Sequence, residues 1–457
     1  MHQNDAATPG PPEELLAVAE DLVASATGDE QVEVVLARGA STGVKVHGAE
    51  VESFTSAGSA EAGVRVIREG RLGFASCGTL DAAVLAETLR EARDNCRFAE
   101  PDDHNGLARP DGVEAVVHDT WSDDVLLLTA GDRIDAALQL EAMALGSDPR
   151  VSSARSTVHS AGWSQSALVA SSGIRVTEAE TYASISTQPI AREGEETQIG
   201  WSVDAARGPG DLDPAKVAHE AVERATKLLG AGRPTTGRMP VLLDARLSVT
   251  LLSLVAGMLS GEAVAKGRSP FAERLGETVA SPLLDLSDDP TRTDSPGARS
   301  FDGEGLACRP NPLLRAGRLE TFLYDSLSAR RAGRRSTASA VRSVRGLPSP
   351  GAQLLVVEPG PHELDAIRSG VELGIAVESF SGLHSGVNPV SGDFSVGADG
   401  VMIRNGELAE PVKELTLAST LQRLLLEVVA VGSDFEWLPG GSGGASMLID
   451  EVSVAGA

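Results

Sequence analysis

A chain of 457 residues is long enough for two or three domains and a large buried core, and 42% hydrophobic with 23% charged residues is the balance of an ordinary globular protein. Only 3% of it is aromatic, so that core must be built from Leu, Val, Ala and Ile. A formal net charge of −26 argues against general affinity for nucleic acid or anionic membranes, which depends on clustered Lys and Arg.

Cys77, Cys96 and Cys308 are odd in number and far apart, so neither a disulfide framework nor a CxxC metal knuckle is written here. The opening MHQNDAATPGPPEELL lacks a basic region followed by an apolar one, and no run approaches the length of a membrane span. A cytoplasmic protein is expected.

In chain order, Pro11 and Pro12 precede an amphipathic helix with Leu15, Leu16, Ala19, Leu22 and Val23 on one face. From residue 31 to 78 the pattern becomes five short strands, QVEVVLAR, GVKVHG, VESFTS, EAGVRVIREG and RLGFASC, with Glu69 and Gly70 as the clearest hairpin turn. A helix over residues 80–97 and an irregular acidic passage over 100–112 follow. A further helix, 130–146, leads into alternating segments that read as antiparallel strands up to about residue 206. The stretch 212–230 is a helix with an aspartate cap and an early proline. Helix, strands and helix thus occur twice, which predicts two α+β units, 1–112 and 113–232, before the Gly-rich linker GAGRPTTGR.

The remainder, 233–457, is expected to be mostly β with two core helices, giving an α+β fold overall. The first helix carries Leu247, Leu251, Leu254, Val255 and Met258 at helical spacing, with Gly257 and Gly261 as its weak points. Gly257 reads as a close helix contact. The second helix is placed over 416–431, after a hairpin turning on Asn405 and Gly406.

Several of these segments together resemble the TldD/PmbA family. Gly267, Ser269 and Phe271 fit its G-x-S-x-F segment, and Asp302, Glu304 and Gly305 fit its DxEG segment. Phe394, Asn405, Gly406, Glu407, Pro411, Val412, Gly432 and Asp434 stand at matching places further on. The resemblance implies a zinc-binding HExxxH helix ahead of the first segment in the active subunit. Here the corresponding positions run from Leu252 through Ser253 to Gly257, so both histidines and the water-activating glutamate are missing. A cysteine of the active subunit's C-terminal tail is also without a counterpart in LPGGSGGASM. The chain therefore resembles the TldE (PmbA)-like branch.

Other candidates are weaker. No two of the eight histidines lie three to five residues apart, and His219–Glu220 is followed by AVER rather than a second ligand. GGSGG, with Ser442, lacks the strand and helix of a nucleophile elbow and reads as a flexible or substrate-lining loop. Asp302 and Glu304 could hold a cation or meet a partner, or merely shape a turn. The basic run Arg330, Arg331, Arg334, Arg335, Arg342 and Arg345 could grip an acidic peptide, or form a solvated loop.

The resemblance implies a non-catalytic subunit of a heterodimeric TldD/TldE-type metallopeptidase that acts on unfolded or modified peptides. This chain would carry no cofactor, and zinc would sit in a TldD-like HExxxH partner. Asp302, Glu304, Gly305, Phe394 and Asn405 are the candidate substrate or partner contacts. A peptide-maturation or natural-product partner of the same family is one alternative. An independently active hydrolase using Asp302, Glu304 or Ser442 is another. The family's association with DNA gyrase suggests a third, although the acidic balance makes direct nucleic-acid contact unfavourable.

Overall fold

The computed structural model describes residues 9–456; the first half of the opening stretch scanned for a leader, with His2, lies outside them. Helix α1 (Pro12–Ala24) begins on proline with Glu13 and Glu14 in its first turn, as the amide-rich N-terminus of a helix favours. Strands β1 (Gln31–His47), β2 (Glu50–Arg68) and β3 (Arg71–Cys77) follow, then α2 (Ala82–Phe98), whose cap Asp81 accepts from the Ala83 and Val84 amides. The five strands expected here are three. Gly39 and Gly43 do not end β1, because it is paired with β2 on one side and a later strand on the other, and those ladders outweigh poor strand propensity. The turn at Glu69 and Gly70 has φ of 51° and 73°, the left-handed pair a two-residue hairpin needs.

The second unit repeats the order. A short α3 (Asp124–Leu127) precedes α4 (Ala130–Ser147), which opens with a capping box between Thr129 and Asp132. Then come β4 (Val151–Ala170), β5 (Arg175–Glu193), β6 (Glu196–Ile199), β7 (Ser202–Ala206) and α5 (Pro214–Lys227). Because β1 pairs antiparallel with β4, both units share one seven-stranded sheet in the order β3-β2-β1-β4-β5-β6, with β7 also on β5.

Strand side chains alternate between faces. Val32, Val34 and Leu36 of β1, with Ala167 and Val169 of β4, pack under α1 and α2. Val151 and Ile185 pack under α4 and α5. The other parity, Val35, Leu168 and Ala170, meets Leu306 and Ala338 from the C-terminal region.

That region starts with β8 (Gly237–Leu243), flanked by strand Leu373–Ser381 in parallel and Met447–Ala455 antiparallel. Asp393–Arg404 and Glu407–Thr420 extend the sheet, and Glu407–Thr420 also pairs with Met447–Ala455, so the strands close into a ring without free edges between them. The helix expected over 416–431 is a correction. Only Leu421–Leu426 is helical, and its flanks are strands, Glu407–Thr420 and Val428–Val431, because Thr416, Thr420, Val428 and Val431 are β-branched and find ladder partners. A second sheet, which includes Leu286–Asp288, Asn311–Arg315 and Leu355–Val357, shares the largest apolar cluster with the first. Among the described residues no helix is long and apolar enough to cross a membrane.

Candidate functional site

Helix α6 (Ala245–Met258) follows β8 directly, capped by Asp244, whose Oδ1 accepts from the Leu247 amide at 2.7 Å. Its apolar stripe buries Leu247, Leu251, Leu252, Val255 and Met258 in the main core. Leu252 is thus hydrocarbon in hydrocarbon. Ser253 is exposed and donates its hydroxyl back to the Val249 carbonyl at 2.7 Å. Gly257 is exposed too, and a Cβ built there would meet nothing within 4 Å, so the close helix contact expected at this glycine is not present within the chain. Zinc takes thiolate, imidazole or carboxylate donors. A buried leucine, a hydroxyl turned onto its own helix and a bare glycine do not fit it, and among the described residues no three His, Cys, Asp or Glu side chains converge to hold a metal.

The segment 298–306 lies across the sheet face that α1, α2, α4 and α5 leave uncovered. Asp302 folds it into a tight loop: Oδ1 accepts from the Glu304 and Leu306 amides, both at 2.9 Å, and Oδ2 from the Ala340 amide at 3.1 Å. Gly305 turns with φ 78°, where a Cβ would stand 2.4 Å from Ile174. Glu304, 1% exposed, accepts from the Ser326 amide at 2.8 Å and reaches Arg65 of β2 at 3.5 Å. Burial, with Glu304 beside it, pushes the Asp302 carboxyl up to about 7; burial also raises Glu304, against the pull of Arg65.

Arg65 is the centre of a buried charge cluster that joins the two halves. It forks onto Glu33 of β1 at 3.1 and 2.6 Å, and Arg342 reaches the same carboxylate at 2.6 Å. Burial alone would raise Glu33, but the guanidiniums of Arg65 and then Arg342 outweigh it and hold the carboxyl below its ordinary range. Neither Glu33 nor Arg65 stood out as a candidate, yet the signal was there: opposite charges inside the apolar runs VEVVL and VRVI, directly across one hairpin.

The basic run resolves the same way. Arg330 donates to the His104 and Gly106 carbonyls, Arg331 pairs with Asp102, Arg342 with Glu33 and Arg345 with Glu61. Four of the six are clamps onto the N-terminal half, neither a solvated loop nor a free grip; Arg334 and Arg335 remain exposed.

Beside this cluster, two adjoining cavities of about 220 and 350 Å³ open between the sheet face and the 298–303 segment. Ser166, Glu178, Arg299 and Phe301 border both, so they form one groove; Asp302 and Gly303 line its inner end. Glu178 opens to solvent on one side and is ringed by protein on the others, which raises its pKa despite Arg299. Phe394 does not border the groove. It is buried, edge-on to Phe380 at 6.0 Å. Asn405 sits exposed at a hairpin turn with φ 49°. Ser442 accepts from the Leu355 amide at 3.1 Å, and Ser295 holds the adjacent Gly441 carbonyl at 2.6 Å, so the GGSGG loop is pinned rather than flexible. His219 is exposed on α5.

Sequence models of PmbA/TldA metallopeptidase domain 1, central domain and C-terminal domain match residues 32–96, 123–229 and 236–456. This chain belongs to the PmbA/TldD family. It is 25% identical to the metalloprotease PmbA of Escherichia coli O157:H7 over 97% of this chain and 96% of that one. A metalloprotease TldD homolog of Haemophilus influenzae is 30% identical, over 54% of each. Its full-length similarity is therefore to PmbA, in keeping with the TldE (PmbA)-like branch. Among solved structures, a Bacteroides thetaiotaomicron protein named for modulation of DNA gyrase superposes with a TM-score of 0.88 at 27% identity, covering 97% of this chain and 99% of that one. TldE from Thermococcus kodakarensis, 21% identical, shares the fold at a TM-score of 0.86 over the same shares.

Proposed function

We propose that this chain is the zinc-free, TldE-like subunit of a two-chain TldD/TldE-type metallopeptidase acting on unfolded or modified peptides in the cytoplasm. Helix α6 carries the reading: where the family's active subunit holds HExxxH, this helix offers Leu252, Ser253 and Gly257, none of them a fit ligand for zinc. The TldD-like partner supplies the metal and the activated water. This chain supplies walls and orientation for the substrate, which counts in catalysis because fixing the reacting geometry removes an entropic cost. Three unpaired cysteines suit a reducing compartment.

The test is reconstitution with a TldD-like HExxxH protein. Peptide cleavage should appear in the mixture and exceed that of either chain alone, the two should co-elute on size exclusion, and a chelator should stop cleavage. Elemental analysis of the isolated chain should find no stoichiometric zinc. A partner that cleaves equally well alone, or one tightly held zinc in this chain, overturns the reading.

A further inference from the structure

Arg342 borders the inner cavity of the groove, and its side chain is only 5% exposed. Nη1 is spent on Glu33, while Nε and Nη2 are buried with no acceptor. Those two donors share one edge of the planar guanidinium, the edge that meets both oxygens of a carboxylate as a fork. A buried donor left unmet costs about 1–3 kcal/mol, so the site favours an acceptor that the chain does not itself provide. Local charge points the same way. Arg65, Arg342 and Arg299 bring three positive charges against Glu33, held ionised, and Glu178 across the groove, while burial shifts Asp302 and Glu304 toward their neutral forms.

Val35, Leu168, Val176 and Val344 form an apolar side of the cavity, while Ser166, Glu178, Asp302 and Arg299 form its polar and charged side. Its volume of about 220 Å³ has room for one aliphatic residue, and the outer cavity of about 350 Å³ continues from it. On the outer wall, both ring nitrogens of His118 are buried without a hydrogen bond. Burial and then Arg207 lower its pKa against the pull of the Arg299 backbone, which favours the neutral ring with one donor and one acceptor nitrogen, the pair a peptide unit requires once the ring turns toward the groove.

We propose that this groove binds the C-terminal end of an extended peptide, its α-carboxylate forked on Nε and Nη2 of Arg342 beside Arg299 and its last, aliphatic side chain against Val35, Leu168 and Val176. The preceding residue runs past Ser166 and Phe301 toward His118. Both Arg342 donors are shut off from water, so docking requires the guanidinium to turn toward the cavity it already borders. The choice of a peptide rests on the peptidase-subunit reading; the carboxylate site does not.

Calorimetric titration of the full-length chain alone tests it, without the partner or any cleavage. Acetyl-Ala-Ala-Leu with a free carboxyl should bind, and its C-terminal amide should bind at least about tenfold more weakly, a loss of about 1.4 kcal/mol. Arg342→Lys keeps a charge for Glu33 but removes the fork, and it and Arg299→Ala should each weaken the free acid while leaving the thermal midpoint within a few degrees. Should Arg342→Lys unfold the chain, the acid–amide comparison on the unaltered protein decides alone. Equal binding of acid and amide, no binding of the acid at millimolar concentration, or a folded Arg342→Lys that binds as before overturns the proposal. 4-Methylpentanoate binding as tightly as the tripeptide would assign the site to small organic acids and overturn the peptide part. Failure of reconstituted cleavage would leave the titration untouched, so the two readings fail separately.

Discussion

The two faces of the N-terminal sheet are held by different physics. Under the helices lie Val32, Val34, Leu36, Ala167 and Val169, a face whose stability scales with apolar area removed from water. The opposite face mixes Val35 and Leu168 with Glu33 and Arg65, and joins the C-terminal region through charges that are stable only as a complete set. Apolar packing tolerates trimming by degrees. A buried charge cluster does not, since removing one member leaves a buried neighbour short of hydrogen bonds and counter-charge with no solvent to replace them.

Arg65→Ala should therefore have the largest effect, about 3–5 kcal/mol by chemical denaturation, because it takes both forked hydrogen bonds from the buried Glu33 and leaves that carboxylate on Arg342 alone. Leu36→Ala on the helix face should cost about 2–4 kcal/mol through lost transfer energy and a cavity, without changing how stability varies with pH. If the two variants match in both size and pH profile, the contrast between the faces is wrong.

Gly63 sharpens the comparison at the level of backbone. It lies on β2 where the 340–344 segment crosses the sheet, and a Cβ there would stand 2.0 Å from the Val344 carbonyl. Gly63→Ala should cost about 1–3 kcal/mol as the seam is pushed apart. An unchanged melting temperature would mean that the seam is not tightly apposed.

Titration separates the carboxylates of the seam by sign. Asp302, raised from 3.8 to about 7, holds its proton better when folded, so its contribution to stability is present at low pH and is lost as pH rises through that window. Asp288, raised by burial to about 6, acts in the same sense. Glu33, lowered from 4.5, does the reverse, contributing at neutral pH and losing that contribution on acidification. Thermal melts should show Asp302→Asn with a shallower decline between pH 4 and 7 than the parent chain, by a few degrees; an identical slope would discount Asp302 as its source.

The smallest effect is expected on α6. Because Gly257 is exposed with open space around it, Gly257→Ala should raise stability by up to about 1 kcal/mol, as at any exposed helix glycine. A loss would mean that this position packs more closely than its surroundings indicate.

Elements with local signals were legible in the sequence. Pro12, Asp81, Thr129 and Asp244 announce helix starts, and the turns at Glu69–Gly70 and Asn405–Gly406 fall as expected. Strand lengths in the first half were not legible, because glycines that end a strand in isolation are held inside β1 by ladders to partners far away in sequence. The same non-local pairing converts most of 416–431 from helix to strand. At the candidate site, the family motifs led to the 298–306 segment, but they could not show that Asp302 and Glu304 bond inward, nor that Arg342 and Glu178 meet across a groove. Glu304 and Arg65, and the Arg342 and Glu178 that line one groove, are more than 150 positions apart, and the Ala340 amide that Asp302 accepts from is 38 away, beyond the reach of any spacing rule. Only the Glu33–Arg65 pair left a local trace.

The register between β1 and β4 has a further consequence. Each is the first strand of its own helix–strand–helix unit, and they lie antiparallel at the centre of the sheet, with β2 and β3 on one flank and β5 and β6 on the other. That is the arrangement two copies of a single unit adopt about a twofold axis perpendicular to a shared sheet. The N-terminal half is thus a pseudo-dimer within one chain. Its dyad passes close to Ala40 and Trp163, and the groove beside β4 and β5 has a geometric counterpart beside β1 and β2, where the 340–344 segment already lies.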